Sequence, residues 1–133
     1  MAQNKTQKEK VEFYTGAVKR GVEALDKEFG RLKWLKLIDL KYLDLESPNT
    51  CICGQIFGSF WSSQFKKFKG VKISLDKLDL KDEGNEAWVI QHGFYARDEK
   101  GKKGKTCQKD YDLLTSLWYI KVATLKIEAG LLP

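Results

Sequence analysis

Apolar residues recur at intervals of three and four at both ends of the chain. Val11, Tyr14, Val18, Val22, Leu25 and Phe29 fall on one stripe, which predicts an amphipathic helix over residues 6–29. Thr6 and Glu9 stand at capping-box separation, so each can satisfy a backbone N–H that the first turn leaves free. Gly30 sits where a left-handed stop is expected, whereas Gly16 and Gly21 weaken the middle and require a packing partner. Near the other end Tyr111, Leu114, Trp118, Val122 and Leu125 predict a helix from about 109 to 129, closed by Gly130.

The middle lacks so long a period. Ile38–Leu45 is echoed by Ile73–Leu80 with five of eight positions identical, and its alternation allows a short strand. The flanks differ, so shared local geometry or chance explains the echo better than a repeat. Ser47, followed by Pro48, is an expected helix start, because proline at the first position loses no needed donor. That helix would place Ile52, Ile56 and Phe60 on one face, set Gly54 and Gly58 one turn apart for close packing, and end before Gly70. Residues 86–95 read equally as a buried strand or as a helical turn closed by Gly93. Residues 1–5 are expected to be disordered, and 96–106 to form a mobile basic loop. The fold class that follows is mainly α with minor β (α+β), as a single compact domain over 1–133 with about three helices and one or two short strands.

Composition narrows the class. The chain has 133 residues, and its 42% hydrophobic content argues against disorder throughout. No apolar run is long enough for a bilayer and no signal-peptide core is visible, so an intracellular, cytoplasmic protein with reduced cysteines is expected. The net charge of +6 comes from lysine far more than arginine, which is represented only by Arg20, Arg31 and Arg97. Lysine is a mobile point charge without arginine's planar fork, so diffuse attraction to phosphates or an acidic partner fits better than base readout. Nucleic acid remains a partner that such charge allows.

Candidate chemistry is sparse. Cys51, Cys53, His92 and Cys107 are zinc-ligand types, but Cys-x-Cys spacing suits a buried small hydrophobe better than a knuckle, and no metal is expected. Gly104-Lys105-Thr106 resembles the end of a phosphate loop, yet Glu99 stands where the motif requires glycine. Lys102, Lys103 and Lys105 can still surround a phosphate. Phe65-Lys66-Lys67-Phe68-Lys69 interleaves rings and amines as a nucleotide site would, although Phe65 and Phe68 also read as a core stripe with lysines turned outward. Gln55, beside Gly54, can present its amide to a ligand or bond a neighbouring segment. His92 stands alone, and Asp39, Asp44, Asp76 and Asp79 read as turn or solvent residues, so the chain points away from catalysis and needs no cofactor.

Three pieces recur in order: Leu43-Asp44-Leu45, then Cys51-x-x-Gly54-Gln55-x-x-Gly58, then Tyr111-x-x-Leu114-Thr115-x-x-Trp118. In this the chain resembles small bacteriophage-encoded proteins of unassigned function, from about Ile38 to the C-terminus. Cys53 replaces the aliphatic residue expected before Gly54, and the basic loop is longer than expected. The resemblance implies no catalytic role. It implies the host cytoplasm, where small phage proteins bind and disable defence components or their nucleotide messengers. The expectation is therefore a non-enzymatic anti-defence protein that sequesters an anionic nucleotide-type ligand through Gln55, Trp61, Lys66, Lys67, Lys69, Arg97, Lys102, Lys103 and Lys105. The alternative is an inhibitor or adaptor acting on a host protein complex. Gly54, Gly58 and the many aromatics leave room for a homo-oligomer.

Overall fold

The computed structural model describes residues 6–96 and 105–132, with only the backbone of 105–107. The ends of the chain fold as their periodicity predicts. Helix α1 spans Gln7–Phe29 behind a complete Thr6/Glu9 capping box, in which Thr6 Oγ1 accepts from Glu9 N at 3.1 Å. The last helix, α5, spans Lys105–Glu128, so it begins four residues earlier than expected and occupies the end of the predicted loop. The two helices run in the same direction. Lys10 and Tyr14 meet Asp110 near their starts, and Gly21 meets Trp118 about halfway along. Two parallel neighbours require a connection that carries the chain back to its starting end, and residues 30–96 begin it.

That connection begins at a corner where Gly30 has positive φ (86°) but an extended ψ (137°), so α1 stops and a new helix starts at once. Helix α2, Arg31–Leu37, is an element that the periodicity did not predict. Asp26 builds the corner, accepting from Arg31 Nε at 3.1 Å and from Trp34 Nε1 at 2.9 Å. Burial raises the carboxyl pKa, but the Arg31 and Trp34 hydrogen bonds and the Arg31 charge outweigh it, leaving Asp26 below its ordinary value.

The second predicted helix is shorter and starts later. Ser47–Thr50 form a turn in which Cys51 N donates to Ser47 O at 3.0 Å, and α3 is Ile52–Phe57 with Cys51 as its cap. It ends at Gly58 in the left-handed conformation, well before Gly70. Phe60 N then donates back to Pro48 O at 2.7 Å, so the chain has reversed and Phe60 enters the core from outside the helix. Leu40–Tyr42 is a 3-10 turn rather than a strand, and Ser63–Lys67 is a second one. The only sheet among the described residues is an antiparallel hairpin of β1, Ile73–Ser74, and β2, Lys77–Leu78, paired Ile73 to Leu78 and Ser74 to Lys77. The ambiguous stretch at 86–95 is helical: α4 spans Glu83–Gln91, capped by Asp82, which accepts from Asn85 N at 3.1 Å.

Buried Asn85 ties hairpin to helix. Its Oδ1 accepts from Lys72 N at 2.8 Å, and its Nδ2 donates to Lys72 O and Asp79 O at 2.6 and 2.9 Å. The core is continuous, with Trp34, Phe65, Phe94 and Trp118 wholly enclosed. Phe94 stacks on Trp118, whose indole N–H donates to Gly93 O at 2.6 Å. The molecule is thus mainly helical with a small antiparallel sheet, and five α-helices are described rather than about three.

Candidate functional site

The three pieces of the sequence pattern meet in space, joined by one side-chain and one backbone hydrogen bond to the Leu-Asp-Leu main chain. Leu45 N donates to Thr115 Oγ1 at 3.0 Å, fastening the Leu-Asp-Leu segment to α5. Asp44 N reaches Thr50 O at 3.4 Å, fastening the same segment to the turn before α3. Gly54 lies so close to the Pro48–Asn49 backbone that a β-carbon there would overlap the Pro48 carbonyl oxygen and stand 2.6 Å from Asn49 C. The residue types of the pattern serve the fold. Cys51 caps α3, Gly54 permits close contact, Gly58 stops the helix, and Trp118 anchors Gly93.

Gln55 belongs to this scaffold. Its Oε1 accepts from Asp39 N at 2.6 Å, while Nε2 donates to Asp39 O at 3.2 Å and Thr50 O at 2.9 Å. The amide is engaged with neighbouring loops, the second of the two readings open to it. Cys51 and Cys53 are buried free thiols. Burial pushes Cys51 up to about 11 and Cys53 well above the ordinary thiol value, so both stay protonated and unreactive near neutrality. His92 stacks on Trp88 at 3.9 Å between centroids, with Nδ1 2.7 Å from Trp88 O. Burial lowers its pKa against the opposing pull of the Trp88 carbonyl, with the Arg20 charge also lowering it. Among the described residues no three His, Cys, Asp or Glu side chains group as metal ligands; Cys107 lies outside the described side chains.

The remaining described candidates share one lobe, made of the 3-10 turn at Ser63–Lys67 and the hairpin packed on it. Phe65 and Phe68 are buried and make ring contacts with Phe57, Trp88 and Phe94, so neither ring is available to a base. Lys66, Lys67 and Lys69 are exposed, with Lys67 Nζ 5.6 Å from the Phe29 ring centroid. Trp61 is 42% exposed, and its main chain is held: the carbonyl accepts from Leu78 N at 3.2 Å, and Ser62 bridges Lys77. Lys77, which no motif in the sequence singled out, thereby joins the lobe. Its only signal was a two-residue loop, Leu75-Asp76, between Ser74 and Lys77, without the Asn-Gly that usually marks such a turn. Trp61 packs edge-on against Phe60, which stacks on Tyr95. Arg97, Lys102 and Lys103 lie outside the described residues, as does the Lys105 side chain.

The aspartates of the two Leu-Asp-Leu stretches are turn residues. Asp39, Asp44 and Asp79 each accept from the backbone N–H two residues on, at 2.9–3.0 Å, and Asp76 occupies a left-handed turn position. No family model, no curated protein and no solved structure matches this chain.

Proposed function

We propose that the protein binds an anionic, nucleotide-type ligand and holds it without transforming it. Such sequestration suits a phage accessory protein directed against a defence signal, and the lobe bearing Trp61 would carry the site. The observation behind this reading is a half-exposed indole on a pinned backbone, in a lobe that also exposes Lys66, Lys67, Lys69 and Lys77. The indole would stack on a base while amines neutralise phosphates.

Calorimetry and tryptophan fluorescence with a nucleoside triphosphate, a cyclic dinucleotide and inorganic phosphate test it. Trp34 and Trp118 are wholly buried and Trp88 partly so, which makes Trp61 the emitter most open to a ligand. Binding is expected to quench emission, and Trp61→Ala to weaken it by roughly tenfold or more, as loss of one base-stacking ring does. Absence of heat and quenching with all three probes overturns the reading.

A second reading rests on the hairpin tip. Leu75 is 93% exposed at φ 52°, a conformation that costs a leucine energy and that asparagine adopts readily. An apolar side chain displayed at such a position suits an anchor for a host protein's pocket. Leu75→Asn should stabilise the fold and abolish inhibition of that partner; unchanged inhibition removes this alternative.

A further inference from the structure

We propose that α5 pairs with the α5 of a second copy of this chain, antiparallel about a twofold axis near its C-terminal turns. Two rows run along this helix, the first wholly apolar and the second apolar except for Thr124. The first, Leu114, Trp118, Val122 and Leu125, fills the core. The second, Leu113, Leu117, Ile120, Thr124 and Ile127, alternates steps of four and three and is displaced from the first by about a third of a turn at 3.6 residues per turn. Leu113 and Leu117 are partly covered within the chain, but Ile120 and Ile127 are 63% and 57% exposed. Such spacing is that of a helix-pairing seam, and its uncovered portion is the last two turns.

The charges beside the seam identify the occupant. Each exposed isoleucine is followed by a charge of opposite sign, Lys121 after Ile120 and Glu128 after Ile127. Neither makes a direct ion pair among the described residues, although the Glu128 charge acts on Arg31 from a distance. In a parallel pair each flank of the seam faces the opposite flank of its neighbour, so Lys121 and Glu128 would lie beside Ser116 and Ala123 of the second copy and meet no opposite charge. Antiparallel pairing sets Lys121 against Glu128 twice, once on each side of the axis. The same register lays Thr124 against Ile127 of the second copy and covers Ile120 near the Leu131 end. On the seam's opposite flank stand Ser116 and Ala123, small enough for the backbones to approach.

Sedimentation equilibrium of the full chain at roughly 100 µM, enough by mass action to fill a dimer of micromolar affinity, should give twice the 15.3 kDa chain mass. The double variant I120D/I127D should be monomeric with an unchanged circular dichroism spectrum, since both positions are exposed in the monomer. Lys121→Glu and Glu128→Lys should each weaken the dimer about tenfold, and together restore it. A monomeric wild type, or a dimer that survives I120D/I127D, overturns the proposal; so does failure of the double charge reversal to restore association.

Discussion

The parallel pair α1/α5 and the stretch from Ile38 to Asp82 are stabilised in different ways. The pair is held by area: Val18, Val22, Leu25, Leu114, Trp118 and Val122 are buried along regular stripes, and each contributes to a shared apolar face. The middle stretch has no long element. It buries Ile52, Phe60, Phe65, Phe68 and Leu78 without a regular stripe, and its backbone is fixed at points by single side chains that replace the missing ladder: Gln55 on Asp39 and Thr50, Asn85 on Lys72 and Asp79, Thr115 on Leu45. A distributed interface tolerates substitutions that keep it apolar, whereas a pointwise one depends on particular atoms. The lobe that bears Trp61 sits in the second kind of structure.

The largest expected effects come from one glycine in each region. At Gly21 a β-carbon would overlap the His92 carbonyl oxygen and stand 2.8 Å from Trp118 Cζ2; at Gly54 it would meet backbone of the Ser47–Thr50 turn. Neither obstacle is a flexible side-chain end, so Gly21→Ala and Gly54→Ala should each cost about 3 kcal/mol through overpacking. Their consequences should differ. Hydrogen exchange should show Gly21→Ala loosening α1 and α5 together, while Gly54→Ala raises exchange in 38–60 ahead of the helical pair. Matching exchange patterns in the two variants would remove the distinction between the regions.

Next in size is Gln55→Ala, which deletes three hydrogen bonds and leaves Asp39 N without its partner, at a cost of about 2 kcal/mol. Thermal unfolding measures that loss. Ligand affinity at the Trp61 lobe should be unchanged once the protein is folded. A Gln55→Ala variant with normal stability and lost affinity would return the amide to the site.

The same contrast governs how much could be read from residues alone. The capping box, both long stripes apart from exposed Val11, and the turn roles of the aspartates follow from rules that act within one or two turns, and they stand in the structure. The echo of Ile38–Leu45 in Ile73–Leu80 also has a local cause. In both, the aspartate side chain accepts from the N–H two residues on, and its carbonyl from the N–H three residues on, so Leu-Asp-Leu turns the chain alike twice. What escaped reading depended on distant partners. Ser47-Pro48 is a good helix start, yet the Pro48 carbonyl is claimed by Phe60 N, and Cys51 takes over as cap. Helix α2 escaped because its first turn follows Gly30 directly and relies on Asp26 rather than on a cap of its own. The candidate site was legible only as composition: lysines and Trp61 could be named, but not the hairpin register that adds Lys77.

Gly16 separates helix propensity from packing. A β-carbon there would meet only the end of the Arg20 side chain, at 3.1 Å, which can move aside. Gly16→Ala should therefore stabilise the protein by about 0.5–1 kcal/mol, the ordinary gain from replacing a mid-helix glycine. Two glycines five positions apart on one helix would then carry opposite signs, one kept by contact with α5 and one kept by nothing the structure displays. A destabilised Gly16→Ala variant would mean that the Arg20 bond to Gln91 O, at 2.7 Å, cannot adjust.

The smallest effect is a pH dependence at His92, where α4 meets α1. Burial first, and then the Arg20 charge, lower its pKa from the ordinary 6.5, outweighing the Trp88 carbonyl that favours the cation. The unfolded chain therefore takes up a proton at a higher pH than the folded one does. The stability gained by keeping the ring neutral is fully present above about pH 6.5 and is lost as pH falls through the lower folded-state value. Urea unfolding midpoints between pH 7.5 and 5 should decline with acidity in the wild type. They should decline less in His92→Phe, which keeps a ring to stack on Trp88 but cannot take up a proton. Equal slopes in the two proteins would show that the histidine ionises as readily in the fold as in the unfolded chain, and that the α4–α1 contact is indifferent to its charge.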